Sequence, residues 1–208
     1  MLYRTIALKD MITKFGKSEA QTSLSEFSCP KNKDIEYFMH VKAVPFENSG
    51  LSRTYLVVAQ DDNGIYGVCA MYSLSTKQID SNKKLTAGTR KKLYGTTYSL
   101  GKTANAILIG QLSKNYRNGA DKHITGAILM SLIYEKIKQM DVVVPSVSVY
   151  VECEDIPELR SYYERYGFSL FSTNEDGLLQ YLIPTRTFVS AEYKKRHIKH
   201  SKVPSSTL

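Results

Sequence analysis

Residues 107–133 read ILIGQLSKNYRNGADKHITGAILMSLI, and this stretch decides the fold. The apolar run over residues 106–112 is typical of a central strand that is buried on both faces. A polar loop over residues 113–123 follows it. Apolar side chains then recur at spacings of three and four over residues 124–140, which predicts an amphipathic helix. The stretch therefore predicts a strand, a loop and a helix in succession, as α/β proteins have.

The segments after this helix continue the alternation. Residues 146–153, SVSVYVEC, alternate as the residues of a strand do. A second helix follows, in which Asp155 is a candidate cap, Pro157 lies in the first turn and Gly167 supplies the end. The last two predicted strands cover residues 168–171 and 178–183.

The first half of the chain adds a helix and a hairpin. Residues 33–46 have apolar side chains at helical spacing, and Asn-Ser-Gly at 48–50 stops the helix. Two β-rich segments, residues 53–60 and 65–74, flank the turn signal Asp-Asp-Asn-Gly. Residues 75–102 are polar and basic, and two interpretations stay open: a functional loop or a solvated surface segment. The interleaved helices and strands predict an α/β (α+β) fold.

Length and composition limit the class of protein. The 208 residues suit a single domain, expected at residues 1–193, with a basic, flexible tail at 194–208. No apolar run is long enough to cross a membrane and no signal sequence is evident, which predicts a cytoplasmic protein without membrane contact. The three scattered cysteines form neither a disulfide framework nor a zinc motif, so no metal is expected.

The basic charge favours polyanionic partners such as RNA and phosphate-rich cofactors. The net charge is +8, and the isoelectric point is about 9.2. Five basic residues cluster near the C-terminus, namely Lys194, Lys195, Arg196, Lys199 and Lys202. Removing these five charges from +8 leaves +3 on the body of the protein, so charge alone does not establish a nucleic-acid partner.

The loop before the long predicted helix has the features of an anion site. N–H groups at a helix N-terminus and the positive end of the helix dipole bind pyrophosphate well. Arg117, Lys122 and His123 add positive charge. Gly119 and Gly126 permit unusual backbone angles and close approach. An ordinary crossover loop with a basic surface is the alternative interpretation.

Three tyrosines, Tyr162, Tyr163 and Tyr166, occupy the inner face of the second predicted helix. Tyrosines in such positions are usually core residues whose hydroxyl groups lie at the rim, and two of the three are expected to be so. One phenol is a candidate proton donor to a leaving group, because a pKa of about 10 keeps it protonated at neutral pH.

Together these segments resemble the GNAT superfamily of N-acetyltransferases. The resemblance rests on residues 107–133, on VYVECED at 149–155 and on LRSYYERYGF at 159–168. In the last of these, Tyr163 begins the family's Tyr-x-x-x-Gly-Phe pattern, which ends at Phe168. The resemblance implies a GNAT fold, with a mixed central sheet of about six to seven strands, splayed to hold acetyl-CoA and flanked by about four helices.

A narrower resemblance rests on FSCPKNKDIEYFMHVKA at 27–43 and GLSRTYLVV at 50–58. These segments are similar to the N-terminal half of the GNAT toxins of bacterial toxin–antitoxin pairs, which acetylate the amino group of aminoacyl-tRNA. Phe27 and Cys29 match the subgroup's pattern, whereas Pro30 replaces its usual glycine. The resemblance implies acetyl-CoA and charged tRNA as substrates, an antitoxin as a protein partner and a homodimer as a further expectation.

The cofactor site that the resemblance implies consists largely of backbone groups. The pantetheine arm would pair with main chain at Leu112, Ser113 and Lys114, and the pyrophosphate would lie on the N–H groups of residues 122–127. The implied cofactor residues are Leu112, Ser113, Lys114, Lys122, His123, Ile124, Thr125, Gly126, Ala127, Asp155 and Tyr163.

The cofactor loop departs from the family pattern of Arg or Gln, two residues, Gly, one residue, then Gly or Ala. With Gly126 as the last glycine, Asp121 takes the Arg/Gln position and Ile124 takes the first glycine position. Backbone amides of residues 123–127 can bind pyrophosphate whatever the side chains are. Because of these two departures, a non-catalytic RNA-binding or regulatory protein on a GNAT scaffold stays an alternative interpretation of the sequence.

The implied reaction is a direct transfer in which Tyr163 protonates the departing thiolate. Glu152 and Glu154 are candidates for the general base. The candidate substrate residues are Arg53, Arg90, Lys91, Lys92 and Glu152. The predicted RNA-facing surface is the basic stretch formed by Lys83, Lys84, Arg90, Lys91 and Lys92. The nearest alternative function is a GNAT that acetylates a protein N-terminus, a lysine or a small amine.

Overall fold

The computed structural model of the protein describes residues 1–80, 87–88, 91 and 103–198. These residues form two compact units. The first unit contains residues 1–75 and 110–133, and the second contains the rest of the described chain.

In the described part of the chain, seven strands form one mixed sheet. They are β1 (Leu2–Ala7), β2 (Arg53–Asp61), β3 (Gly64–Asp80), β4 (Thr103–Lys114), β5 (Ser148–Cys153), β6 (Ser169–Thr173) and β7 (Leu179–Pro184). Their order across the sheet is β1-β2-β3-β4-β5-β7-β6. The β4–β5 pair is parallel, whereas β1–β2, β2–β3, β5–β7 and β6–β7 are antiparallel. The predicted α/β fold with a mixed sheet is confirmed.

Eight α-helices lie within residues 1–80 and 103–198. They are α1 (Leu8–Phe15), α2 (Lys17–Ser25), α3 (Lys33–Tyr37), α4 (Ala43–Ser49), α5 (Gly126–Asp141), α6 (Pro157–Arg165), α7 (Thr185–Phe188) and α8 (Ala191–His197). Phe38–Lys42 forms a π-helical segment, and Arg117–His123 forms a 3-10 helix. The resemblance implies only about four helices. Most of the others are short, and apolar periodicity is informative only over several turns.

The helix predicted over residues 33–46 is present, but it continues to Ser49 and has the π-helical segment in its middle. Asn32 caps it, because its side chain accepts hydrogen bonds from two N–H groups of the first turn. Pro45 explains the irregularity, since proline lacks the N–H of a regular helical bond and its ring clashes with the preceding turn. Gly50 ends the helix with a φ of 73°.

The predicted hairpin is also confirmed. β2 and β3 pair from Arg53↔Leu74 to Asp61↔Gly64, on either side of the predicted turn. β3 runs on to Asp80 and is therefore longer than the strand predicted to end at residue 74.

The first unit has an apolar core to which helices α1, α2 and α4 and strands β2 and β3 contribute. Its buried side chains include Leu8, Leu24, Phe27, Met39, Val44, Leu56 and Met71. Each such side chain stabilises the fold by about 1.5–3 kcal/mol relative to its exposed state.

In the second unit, aromatic rings join the helices that follow β4. The ring centroids of Tyr134, Phe188 and Tyr193 lie 4.8–6.0 Å apart. The Tyr193 hydroxyl group donates a hydrogen bond of 2.9 Å to the carbonyl of Tyr166. Helix α8 is thereby anchored to the end of α6.

The start of the predicted tail, residues 194–197, lies in α8. Lys194 forms an ion pair with Glu135 of α5. Ile198, the last described residue, is buried. Residues 199–208 lie outside the described part of the chain.

Candidate active site

Asn115 follows β4 and fixes the start of the predicted pyrophosphate loop. Its N–H donates to the carbonyl of Cys69 at 2.9 Å, and its Nδ2 donates to the carbonyl of Val68 at 2.8 Å. Its Oδ1 accepts from the N–H groups of Ser28 and Arg117, at 3.0 and 3.1 Å. The side chain is buried, and its position therefore depends on these bonds. This residue is not predicted from the sequence, because an asparagine in a polar run gives no sign of burial.

The three residues predicted to pair with pantetheine, Leu112, Ser113 and Lys114, form the half-buried end of β4. Ser113 Oγ lies 3.2 Å from Cys29 Sγ and donates to the carbonyl of Lys114 at 2.8 Å. Lys114 Nζ donates to the carbonyl of Asp121 at 3.2 Å. The strand end is therefore tied both to the segment after α2 and to the loop that follows.

The polar loop predicted over residues 113–123 is largely a 3-10 helix, Arg117–His123, so this prediction is corrected. The helix is kinked at Asn118 and Gly119, where φ is 52° and 74°. Gly119 adopts its positive φ without the strain that a Cβ would cause. The stem of Lys122 lies beside the kink, 3.8 Å from where a Cβ on Gly119 would be.

The long helix α5 begins at Gly126, two residues after the predicted start. Thr125 caps it: the N–H of Ile128 donates to Thr125 Oγ1 at 3.2 Å, and the N–H of Leu129 donates to the Thr125 carbonyl at 3.1 Å. Ile124 is extended and only 2% exposed. Its side chain thus lies in the interior of the first unit and not on the surface that an anion would approach.

His123, one of the predicted cofactor residues, is held from two sides. Its ring stacks on Tyr66, with centroids 3.9 Å apart, and its carbonyl accepts a hydrogen bond of 2.9 Å from the Tyr3 hydroxyl group. Tyr66 in turn donates to Asp61 Oδ2 at 2.7 Å, which holds the pKa of that carboxyl group below its ordinary value. The loop before α5 is therefore fixed to β1 and β3.

Tyr163 lies in α6 of the second unit and is buried. Its ring contacts those of Tyr162, Phe168 and Tyr181, with centroids 5.3–6.0 Å apart. Burial raises the pKa of its phenol well above the ordinary value, and the nearby Cys153 thiol raises it further. The group therefore carries a proton throughout the neutral range, as a proton donor must.

The start of α6 differs from the prediction. Ile156, and not Asp155, is the residue that precedes the first helical turn. The capping prediction is wrong because the Asp155 carboxylate pairs with Arg160, with Oδ1 and Nη2 2.5 Å apart. Pro157 opens the helix and Gly167, at a φ of 75°, follows its end, as predicted. A contact of Asp155 with the cofactor stays a prediction.

Glu152 has the environment of a carboxylate that is ionised at neutral pH. Its Oε1 accepts hydrogen bonds from Tyr150 at 2.6 Å, Gln180 at 2.8 Å and Lys77 at 2.9 Å. Burial raises the pKa of Glu152, but these bonds more than offset it, so the pKa lies below its ordinary value. A carboxylate of this kind accepts a proton poorly at neutral pH, which disfavours Glu152 as the general base.

Arg53, a predicted substrate residue, pairs with Glu47. Its Nη1 lies 2.8 Å from Glu47 Oε1 and 3.0 Å from the Glu47 carbonyl oxygen. Glu47 is 5% exposed, and its Oε2 accepts from the N–H of Thr54 at 2.9 Å. The guanidinium group thus neutralises a buried carboxylate, and its contact with a substrate stays a prediction.

Most of the predicted RNA-facing surface lies outside the described residues, namely Lys83, Lys84, Arg90 and Lys92. Lys91 is described, and it is helical and exposed. Its contact with RNA stays a prediction.

No three His, Cys, Asp or Glu side chains in the described ranges are grouped as a metal ion would need. None of the described helices has the length and apolar character that crossing a membrane requires.

No family model and no curated protein matches the sequence. Solved structures match over most of the chain. A tyrosine-to-phenylalanine mutant of KacT has a TM-score of 0.62 at 14% identity, covering 90% of this chain and 98% of that one. AtaT complexed with acetyl-methionyl-tRNAfMet has a TM-score of 0.62 at 16% identity, and the match covers 89% of this chain and 96% of that one.

A third structure is a tyrosine-to-phenylalanine mutant of the AtaT toxin, bound to the C-terminus of the antitoxin AtaR and acetyl-CoA. Its TM-score is 0.53 at 13% identity, covering 79% of this chain and 86% of that one. The predicted GNAT fold, which this chain shares with KacT and AtaT, is thereby confirmed, at identities that show the fold alone.

Proposed function

We propose that the protein is an N-acetyltransferase that transfers the acetyl group of acetyl-CoA to the α-amine of an aminoacyl-tRNA. The observation that carries the proposal is the likeness in fold to AtaT, which has been solved with acetyl-methionyl-tRNAfMet. That likeness covers 89% of this chain. The basic composition supports an RNA substrate, because phosphate contacts from Lys and Arg provide most non-specific affinity.

Backbone groups supply the proposed contacts with acetyl-CoA. The N-terminus of α5 carries the positive end of the helix dipole, to which Lys122 adds positive charge, and a pyrophosphate is attracted to such a site. The extended main chain at Leu112, Ser113 and Lys114 suits pairing with the amide groups of pantetheine. The buried Ile124 side chain does not obstruct these contacts.

Tyr163 is the proposed proton donor. The lone pair of the neutral amine forms a bond to the thioester carbonyl carbon, and the carbon–sulfur bond breaks. Tyr163 gives its proton to the departing thiolate and regains one from water, while the attacking nitrogen loses one proton to water. The products are an N-acetylated aminoacyl-tRNA and CoA, so atoms and charges balance.

The protein would act in the cytoplasm, where charged tRNA is found. By analogy with the AtaT–AtaR complex, we include an antitoxin as a protein partner. A homodimer stays a prediction.

The test supplies labelled acetyl-CoA with charged tRNA, uncharged tRNA and a pool of proteins in parallel. The proposal expects label in charged tRNA only. Label confined to proteins or to a small amine would instead support a GNAT with another acceptor. If no acceptor is labelled and acetyl-CoA does not raise the melting temperature, the scaffold is a non-catalytic binding protein.

A further inference from the structure

Helix α6, which carries Tyr163, ends in a Schellman motif. The N–H of Phe168 donates to the carbonyl of Tyr163 at 3.1 Å, and the N–H of Gly167 donates to the carbonyl of Glu164 at 2.9 Å. The rings of Tyr163 and Phe168 also contact each other, with centroids 5.8 Å apart. The Tyr-x-x-x-Gly-Phe pattern thus forms the end of this helix, where it bonds the main chain of Tyr163 and packs against its ring.

Side chains of α8 bond the next two carbonyls, those of Arg165 and Tyr166. His197 Nδ1 donates to the carbonyl of Arg165 at 2.8 Å, and the Tyr193 hydroxyl group donates to the carbonyl of Tyr166 at 2.9 Å. Burial raises the pKa of the Tyr193 phenol, so this group stays protonated and remains a donor at neutral pH. Helix α8 therefore supplies donors for carbonyls that a helix end leaves without intrahelical partners.

Helix α8 is itself held in place. Ser190 caps it, because its Oγ accepts a hydrogen bond of 3.1 Å from the N–H of Tyr193. Lys194 forms an ion pair with Glu135 of α5. The Tyr193 ring lies directly on the end of α6, since its Cε2 is 3.8 Å from where a Cβ on Gly167 would be. The residue that bonds α6 is thus fixed by its own helix.

A row of aromatic rings leads from α8 to Tyr163. The ring centroids are 4.8 Å apart between Tyr193 and Phe188, 5.9 Å between Phe188 and Phe168, and 5.8 Å between Phe168 and Tyr163. All four side chains are buried. Because protein interiors are close-packed, a displacement of α8 is transmitted along this row to the Tyr163 ring.

We propose that Tyr193 and His197 are positioning residues for the acetyl transfer. They hold the end of α6 so that the Tyr163 hydroxyl group lies within reach of the departing thiolate. This inference rests on the proposed function. Proton transfer needs the donor at hydrogen-bond distance from the atom that receives the proton, so a small shift of the helix end lowers the rate of the chemical step. Neither positioning residue contacts a substrate in this proposal.

The test compares steady-state kinetics of the wild type and Tyr193→Phe, with acetyl-CoA and charged tRNA varied in turn. Phenylalanine keeps the ring and removes only the bond to the Tyr166 carbonyl. We expect kcat to fall by about tenfold, because the proton donor is less well placed, while both KM values change less than about twofold. Tyr134→Phe is the matched control, since its hydroxyl group donates to the carbonyl of Val189, outside α6, at 3.3 Å. Its kcat should stay at the wild-type value.

His197 offers a test by rescue. His197→Ala removes the donor to the Arg165 carbonyl, and kcat should fall by about threefold, less than for Tyr193→Phe because this bond is exposed to solvent. His197→Asn places an amide N–H close to the position of Nδ1 and should recover part of the loss.

Hydrogen exchange of the protein without substrates gives a readout that needs no activity. In Tyr193→Phe, the N–H groups of Gly167 and Phe168 should exchange about fivefold faster than in the wild type, because the end of α6 opens more easily. The N–H groups of α5 should exchange at the wild-type rate. Unchanged exchange at Gly167 and Phe168 would mean that α8 does not hold the end of α6.

The kinetic outcomes separate this inference from the proposed function. A wild-type kcat in Tyr193→Phe, together with a lower melting temperature, would show that α8 serves stability alone and would overturn the inference. An equal fall of kcat in Tyr134→Phe would also overturn it, because any loosening of the aromatic rings would then have the same effect. Wild-type protein that acetylates no amine would refute the proposed function and, with it, this role of α8.

Discussion

The side-chain amide of Asn115 donates a hydrogen bond of 2.8 Å to the carbonyl of Val68 and so joins the end of β4 to β3. The same side chain accepts from the N–H groups of Ser28 and Arg117. One buried asparagine therefore sets the position from which the loop before α5 begins. Cofactor binding by backbone groups needs that position to be fixed, since backbone donors cannot adjust by changing rotamer.

The first prediction concerns Asn115→Ala, which removes three side-chain hydrogen bonds. At about 1 kcal/mol for each bond, the free energy of unfolding should fall by about 2–3 kcal/mol, measured by urea denaturation. The rise in melting temperature that saturating acetyl-CoA gives the wild type should also become smaller. An undiminished rise would mean that the loop does not need Asn115 to bind the cofactor.

Tyr163→Phe removes only the proposed proton donor. Turnover with charged tRNA should fall by about a hundredfold or more, because general acid catalysis is lost, while the Kd for acetyl-CoA stays near the wild-type value. Tyr166→Phe, in the turn that ends α6, is the matched control and should keep its turnover. Equal turnover of the Tyr163 variant and the wild type would remove Tyr163 from the mechanism.

Arg53→Met tests whether Arg53 serves stability or substrate binding. Among the described residues, it leaves the buried Glu47 carboxylate with the Thr54 N–H as its hydrogen-bond donor, so the free energy of unfolding should fall by about 1–3 kcal/mol. The expected loss of stability is modest because 45% of the Arg53 side chain is exposed, so solvent partly screens the ion pair. The double variant with Glu47→Gln should recover part of the loss.

Kinetics separate the two roles of Arg53. We expect the KM for charged tRNA to be unchanged in folded Arg53→Met protein. A raised KM with unchanged stability would instead place Arg53 in the RNA-binding surface.

Glu152 should make stability depend on pH. Its pKa is lower in the folded state than the ordinary value of 4.5, so the unfolded state takes up the proton first as the pH falls. The contribution of its charge to stability is therefore complete above the ordinary value and is lost as the pH falls through the folded value. In urea denaturation, the wild type should lose more stability than Glu152→Gln between about pH 6 and pH 3. Parallel losses would mean that the network does not hold Glu152 ionised.

The elements that sequence predicts well are those with local signals. Apolar periodicity is clear in the strand and the two helices within residues 106–168, the second of which carries the Tyr-x-x-x-Gly-Phe pattern. The Asp-Asp-Asn-Gly turn marks the hairpin of β2 and β3. The N-terminal strand and α1 and α2 were not predicted, because short elements show too few turns of periodicity. The predicted start of α5 lies two residues before the observed one, because the boundary depends on the Thr125 cap and not on apolar spacing.

The missed features of the site depend on contacts between residues far apart in sequence. The donors to Glu152 lie 75, 2 and 28 residues away from it, and no sequence pattern joins Lys77 to Gln180. The burial of Ile124 is a second feature of this kind, because its position relative to Gly126 in the sequence places it in the predicted pyrophosphate loop. Its inward orientation follows only from the packing of the first unit.

The central claim is that acetyl moves from acetyl-CoA to the α-amine of a charged tRNA, and the chemical identity of the product tests it most directly. Charged tRNA is incubated with the protein and labelled acetyl-CoA, the ester is cleaved by mild base, and the released amino acid is analysed by mass spectrometry. The account predicts labelled N-acetyl amino acid from the wild type and far less from Tyr163→Phe. Unmodified amino acid from both proteins, or equal product from both, would contradict it.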